Sequence, residues 1–353
     1  MLKIKRLSKT LGAFSMRDVS FEVQKGEYFV LLGASGVGKT VLLETIAGLM
    51  RPDSGQIILD GEDITRERIQ KRRIGLVYQD QALFPHLSVG DNIAYGLRSQ
   101  GLGRSQMRNR VSELAERVGL QALLNRGIAA LSGGEAQRAA LARTLATEPR
   151  CLLLDEPLSS LDIPSRHEVR SLLRNLNRQG QTMLHVTHDY EEAISLASQI
   201  AIMENGMIAQ VGAPESIFQS PKSEFVANFV GIKNFFKGTL LPPVEDGHLS
   251  EFVGPRGVRF QVLTEEPPGA GCLIFRSEDV AISNERPETS ARNIFEGAVL
   301  DIIPARLGVE VSVQIGVKVS ALVTQSSIRS LSLEIGKTVW VNFKASAARF
   351  LRE

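Results

Sequence analysis

Gly33-Ala34-Ser35-Gly36-Val37-Gly38-Lys39-Thr40 is the stretch that decides the fold. Before it runs Tyr28-Phe29-Val30-Leu31-Leu32, an apolar segment that reads as a buried strand. After it comes Val41-Leu42-Leu43-Glu44-Thr45-Ile46-Ala47, which reads as a helix. Strand, glycine loop and helix form the setting of a phosphate-binding P-loop. The glycines let successive backbone N–H groups converge on phosphate oxygens with no Cβ in the way. The helix N-terminus turns the positive end of its dipole toward the same oxygens. At this spacing Lys39 reaches the β- and γ-phosphates of a nucleotide, and the Thr40 hydroxyl ligates Mg²⁺. An ordinary glycine turn ahead of a helix is the competing reading, and the Lys-Thr pair argues against it.

The chain has 353 residues, room for two or three domains. With 43% hydrophobic and 23% charged residues, its composition is that of an ordinary globular protein. No run reaches ~18 uninterrupted apolar residues, so no bilayer-spanning helix is expected. The start, Met1-Leu2-Lys3-Ile4-Lys5-Arg6, lacks the apolar region of a secretory signal. Cys151 and Cys272 lie far apart and match no metal spacing; Cys151 heads an apolar run and reads as a buried thiol, which fits a reducing cytoplasm. A net charge of +2, with both signs mixed along the chain, gives no nucleic-acid footprint. Lys71-Arg72-Arg73 reads as a solvated turn.

Residues 1–30 alternate apolar and polar in two pieces, Leu2-Ile4-Leu7 and Val19-Phe21-Val23, an antiparallel β layer leading into the P-loop strand. Gln56–Gly61 and Ile74–Gln79 read as further strands. The apolar loop Leu83–Val89 is either a local core or a docking surface. Residues 103–126 look helical, with Met107, Val111, Leu114 and Val118 on one stripe. Leu131-Ser132-Gly133-Gly134-Glu135 opens a helix running through Ala146, with Ser132 and Glu135 spaced as a capping box. Cys151–Pro157 is a buried strand ending in paired acids, which calls for a nearby cation. Ser159–Asp162 is a tight loop and 165–178 a polar helix. The strand Thr182–Thr187 ends at His188-Asp189; the helix Glu191–Ser198 and the strand Ile200–Met203 follow. Strands that are apolar throughout, alternating with helices, predict a mainly parallel sheet covered on both faces. From about 237 the texture becomes all-β. Val309, Val311, Val313, Ile315, Val317 and Val319 share one parity, as in a half-buried strand pair of a small barrel or sandwich. No internal repeat or low-complexity tract stands out.

With these pieces placed, residues 1–235 resemble the ATP-binding cassette of an ABC transporter, an α/β P-loop NTPase with an antiparallel β layer and a helical subdomain. The motifs occur in order. Gly33–Thr40 is Walker A, Gln79 the Q-loop, Leu131–Glu135 the signature, Leu154-Asp155-Glu156 Walker B, Ser160-Leu161-Asp162 the D-loop and His188 the switch histidine. The tail resembles an OB-like TOBE domain, and 290–346 a molybdate-binding, Mop-type module within it. Ser290-Ala291-Arg292-Asn293, Gly297, Val323–Ser327 and Lys344-Ala345-Ser346 carry that likeness. The implied division is a cassette over 1–220 with its helical subdomain at about 80–150, a linker over 221–236, and a regulatory domain over 237–353.

The resemblance implies roles. Gly33, Ala34, Ser35, Gly36, Val37, Gly38 and Lys39 hold the ATP phosphates, while Thr40, Gln79 and Asp155 serve Mg²⁺. Glu156 is the general base, and His188 contacts the γ-phosphate. His185, inside its strand, reads as core. Ser132, Gly133 and Gly134, with Asp162, serve the ATP held by a second subunit, which implies a homodimer with two sandwiched nucleotides. The aromatic residue that usually stacks on adenine is replaced by Leu11; either Phe14 substitutes or stacking is weak. Ser290, Arg292, Asn293, Lys344 and Ser346 suit an oxyanion such as molybdate or tungstate, or else cap strands and turns. Implied partners are transmembrane permease subunits at the cytoplasmic face of the membrane and, through them, a periplasmic or extracellular substrate-binding protein. The competing readings are the ATPase of another importer (sulfate, iron, polyamine or sugar) with a structural tail, and a non-transport cassette of DNA repair or translation.

Overall fold

The computed structural model describes residues 1–243, 248–305 and 307–352. The chain forms two compact units, Met1–Gln219 and Ser220–Glu353.

The first unit contains β1 (Leu2–Leu11), β2 (Phe14–Val23), β3 (Tyr28–Leu32), α1 (Lys39–Ala47), β4 (Ser54–Leu59), β5 (Glu62–Asp63), β6 (Ile74–Val77), α2 (Val89–Tyr95), α3 (Arg104–Arg117), α4 (Gly133–Leu145), β7 (Cys151–Asp155), α5 (Ile163–Arg178), β8 (Thr182–Thr187), α6 (Tyr190–Leu196), β9 (Gln199–Glu204), β10 (Met207–Gly212) and α7 (Pro214–Gln219). One sheet is antiparallel, in the order β2-β1-β4-β5. The other has the order β10-β9-β3-β8-β7-β6; its five strands from β9 to β6 are parallel, and β10 is an antiparallel edge. Both sheets bury apolar residues in one core, where the Phe21 and Phe29 rings stack 5.0 Å apart. The order places β3, β8 and β7 side by side. Their C-terminal ends therefore bring the P-loop, His188 and Asp155-Glu156 to one edge, where ligands of open α/β sheets bind.

Two helices are shorter than their sequence pattern predicts. The helix expected over 103–126 ends at Arg117, and Gly119, at φ +70°, takes the left-handed conformation that stops a helix. Val111, Leu114 and Val118 are buried as the stripe requires. The helix expected to reach Ser198 stops at Leu196. Arg72 is not solvated. It is 2% exposed, and its guanidinium donates to the carbonyls of Glu67, Thr45, Ile46 and Thr65 at 2.8–3.0 Å. It thus closes the C-terminal end of α1, whose last carbonyls have no helical partner.

The second unit contains α8 (Glu224–Phe229), β11 (Asn234–Leu240), β12 (Leu249–Val253), β13 (Arg259–Leu263), β14 (Gly269–Phe275), β15 (Ala281–Ser283), β16 (Asn293–Ala305), β17 (Gly308–Gln314), β18 (Lys318–Val323), α9 (Gln325–Ser330), β19 (Thr338–Phe343) and β20 (Arg349–Arg352). The segment 221–236 is only in part a connector, because Asn234, Phe235 and Phe236 open β11. The expected valine pair is the β17–β18 hairpin, with Val309, Val311, Val313, Val317 and Val319 inside.

A repeat that the sequence did not reveal organises this unit. One sheet runs β13-β12-β11-β14-β20 and the other β18-β17-β16-β19-β15. Each is antiparallel with the same internal connectivity, and each is completed by the last short strand of the other half. The trace in sequence is slight: Asn234-Phe235-Phe236-Lys237-Gly238 against Asn293-Ile294-Phe295-Glu296-Gly297. Both glycines lie where a Cβ would strike a neighbouring strand's carbonyl oxygen, of Val253 or of Gln314. Both asparagines reach across to the other sheet. Asn234 bonds the backbone N–H and C=O of Ser320 at 2.7 and 2.9 Å; Asn293 does the same to Gln261 at 2.8 Å each. Between the sheets, Phe275 stacks on Phe343 at 4.1 Å. Asn234→Ala leaves both Ser320 groups buried without partners, and the expected loss is about 2 kcal/mol in the unfolding of this unit, measured by chemical denaturation. A loss below ~0.5 kcal/mol would show that the clamp contributes no stability.

Candidate functional site

The site grows from the turn after β3. Gly36 and Gly38 take φ of +82° and +104°, conformations that glycine adopts without strain. Gly38 also faces the ring of Phe14, whose Cζ lies 2.2 Å from where a Cβ would be. Lys39 is buried and folds back, donating to the carbonyls of Gly33 and Ala34 at 2.8 and 2.9 Å. Burial pulls its ammonium pKa below the usual lysine value. The Thr40 hydroxyl donates to Asp155 at 3.0 Å (Oδ2) and 3.3 Å (Oδ1). Burial pushes the Asp155 carboxyl up, against the lowering effect of Thr40. A cation beside Asp155 and Thr40 would offset that desolvation, and their oxygen donors are the type Mg²⁺ takes. These residues therefore fit the ion.

Glu156 has φ +44° and is held there by hydrogen bonds on both its N–H and its carbonyl. Its N–H donates to the Val186 carbonyl at 2.9 Å, and its own carbonyl accepts the Ser159 hydroxyl at 2.9 Å. Its carboxylate lies 4.0 Å from Lys39 Nζ and 2.9 Å from His188 Nδ1. A cavity of about 280 Å³ is lined by Phe14, Ser35, Gly36, Gly38, Lys39, Thr40, Val41 and Glu156. Of the two residues considered for adenine, Phe14 lines this cavity and Leu11 does not.

Other sequence-predicted residues sit elsewhere. Gln79 is exposed just past β6 and does not line the cavity. Ser132 caps α4: its hydroxyl accepts from Glu135 N–H at 3.3 Å, and the Glu135 carboxylate accepts from Ser132 N–H at 2.7 Å. That bond to Ser132 N–H holds the Glu135 carboxyl below the usual range. Gly134 packs so closely on Ser165 that a Cβ would come within 2.8 Å. Asp162 begins α5 with its carboxyl held low by the Ser165 hydroxyl. Ser132, Gly133, Gly134 and Asp162 do not line the P-loop cavity of their own chain.

Sequence reasoning missed Arg143 of α4. Its guanidinium donates to the carbonyls of Ala82 and Gln81 at 2.7 and 3.1 Å and lies 5.2 Å over the Phe84 ring. It thus ties the signature helix to the loop after Gln79. An arginine in an alanine-rich helix carries no local mark of that role.

In the second unit, Asn293 is 1% exposed, with both its amide oxygen and its nitrogen bonded to Gln261, so it acts as a clamp between strands, contrary to expectation. Ser290, Arg292, Lys344 and Ser346 are exposed. Asn293 and Phe343 are the last pair of the β16–β19 ladder, and Arg292 and Lys344 are the next residues beyond it on the two chain segments.

The ABC transporter family matches residues 16–159, and the TOBE domain family residues 289–350. The chain is 40% identical to the molybdate/tungstate import ATP-binding protein WtpC of Pyrococcus abyssi, over 99% of each chain. It is 38% identical to the spermidine/putrescine import ATP-binding protein PotA of Nitrosospira multiformis, over 100% of this chain and 99% of that one. Among solved structures, an ATP-binding cassette captured as a dimer after hydrolysis, with ADP and Pi bound, superposes with a TM-score of 0.55 at 28% identity. It covers 61% of this chain and 99% of that one. By motif order, fold and full-length identity, the chain belongs to the ATP-binding subunits of ABC importers, a P-loop cassette that hydrolyses ATP to drive import, followed by a mostly β TOBE-containing tail.

Proposed function

We propose that this subunit powers import of molybdate or tungstate and that its tail senses the same anion. The observation that carries the reading is the pair Arg292–Lys344. Two exposed cationic residues flank the last pair of the β16–β19 ladder, with Ser290 and Ser346 near them in sequence, and neither makes an ion pair among the described residues. Such a surface attracts a compact dianion. The full-length likeness to a molybdate/tungstate import protein supports it. The equally long likeness to a polyamine import protein favours the second reading, another solute with a structural tail.

In the cassette, Lys39 and the 33–40 backbone would bind the ATP phosphates. Mg²⁺, when bound at Thr40 and Asp155, with Gln79 reaching it directly or through water, supplies charge neutralisation on those phosphates. The Glu156 carboxylate would orient the attacking water and take its proton. His188 Nδ1 holds that carboxylate in place and would face the γ-phosphate. Ser132, Gly133, Gly134 and Asp162 stand away from their own P-loop, which supports their service to the nucleotide of a second copy. Permease subunits and an external binding protein complete the proposed assembly, with this chain peripheral on the cytoplasmic side.

Titration calorimetry of the full-length chain with molybdate, tungstate and sulfate tests the substrate. Molybdate or tungstate is expected to bind, and Lys344→Ala to weaken it about tenfold or more, ~1.4 kcal/mol. Absence of binding by all three anions would remove the sensor and favour the second reading.

A further inference from the structure

Behind the switch turn lies a polar cluster that the nucleotide site does not touch. Glu192, 2% exposed, sits in the first turn of α6. Its Oε2 accepts a hydrogen bond from the Thr187 hydroxyl at 2.9 Å. Thr187 Oγ1 accepts in turn from the N–H of Asp189 at 3.0 Å, and Asp189 Oδ1 accepts from the N–H of Glu192 at 3.3 Å. The three bonds form a closed ring, and His188 lies inside the turn that the ring encloses. Thr187 has one proton to give, and Glu192 receives it.

The ring has an inner neighbour. Nε2 of the fully buried His185 lies 3.6 Å from Glu192 Oε2, and Nδ1 lies 3.0 Å from the Tyr28 phenol oxygen. The phenol and Nδ1 share one hydrogen bond, and Nε2 is left facing Glu192. Burial pushes His185 down to about 3, which keeps the ring neutral. Tyr28 is the first residue of the P-loop strand, so the cluster joins β3, β8 and α6 through buried polar groups. A buried carboxyl is costly unless it is bonded in this way.

We infer that Glu192 is a positioning residue for the switch histidine. The ring it closes with Thr187 and Asp189 fixes the turn that brings His188 Nδ1 to 2.9 Å from Glu156. The inference rests on the proposed role of His188 and extends it inward, to a residue that meets neither nucleotide nor metal.

The test compares steady-state ATP hydrolysis and ATP binding by full-length Glu192→Ala, Glu192→Gln and Thr187→Val, each alone and combined with His188→Ala. Glu192→Ala and Thr187→Val are expected to lower kcat about 10- to 100-fold by misplacing the histidine, with ATP affinity unchanged. Glu192→Gln keeps an oxygen for the Thr187 proton and is expected to stay within about threefold of wild type. On the His188→Ala background, Glu192→Ala and Thr187→Val lower kcat no further. Additive losses, a loss confined to ATP affinity, or Glu192→Gln as impaired as Glu192→Ala overturns the inference. Thr187→Val is nearly isosteric and decides the matter if Glu192→Ala does not fold; wild-type kcat there also overturns it. A slow His188→Ala beside a fast Glu192→Ala removes only the positioning role. A fast His188→Ala removes the reading of His188 itself.

Discussion

Glu156→Gln lowers the kcat of ATP hydrolysis by about 10²- to 10⁴-fold, the contribution of a positioned general base, while ATP binding persists. The amide keeps the shape of the carboxylate but cannot accept the proton of the attacking water. The backbone of Glu156 is held at φ +44° by Val186 and Ser159 through main-chain atoms, so the substitution leaves that conformation intact. Lys39 keeps its bonds to the Gly33 and Ala34 carbonyls, and the cavity keeps its other walls. The loss therefore falls on chemistry and spares ground-state binding. Phosphate release and equilibrium nucleotide binding, measured on the same preparation, check both halves. Turnover within about threefold of wild type would take the base role from Glu156.

Arg72→Ala lowers the stability of the first unit by about 3 kcal/mol. The side chain is buried and donates to four main-chain carbonyls, two of them at the end of α1. Removing it takes a donor from each of those oxygens, of which, among the described residues, the Thr45 carbonyl alone keeps another, the Gly48 N–H, and opens a void beside Gly48, where a Cβ would already lie 2.5 Å from the Arg72 Nε. Arg72→Lys keeps the charge but cannot present the planar fork to four acceptors, so it recovers only part of the loss. Denaturant unfolding of both variants measures this. A change below ~1 kcal/mol in Arg72→Ala would mean that water replaces the guanidinium at no cost. Because α1 carries Lys39 and Thr40, the unfolding curve with saturating ATP separates a stability effect from a damaged phosphate site.

The sequence by itself determined what local chemistry specifies. The P-loop was legible because no common alternative demands glycines, lysine and threonine at that spacing between a strand and a helix. Ser132 and Glu135 announced their helix start because a capping box is a contact between near neighbours. The strands β3, β7 and β8 were legible because a parallel sheet covered on both faces needs continuous apolar runs. Only the tertiary structure decided whatever depends on distant partners. Arg72 read as solvated because the carbonyls it serves lie up to 27 residues away. Asn293 read as an anion ligand because its true partner, Gln261, lies 32 residues away in the other sheet. The duplicated architecture of the tail escaped notice because backbone pairing, which most side chains can support, preserves it, leaving little more than an asparagine clamp, a phenylalanine and a crowded glycine in each half. The ring around His188 stayed hidden for a related reason. Thr187 and Glu192 are each unremarkable where they stand, and only the packing of α6 against β8 turns them into a device that could aim a histidine.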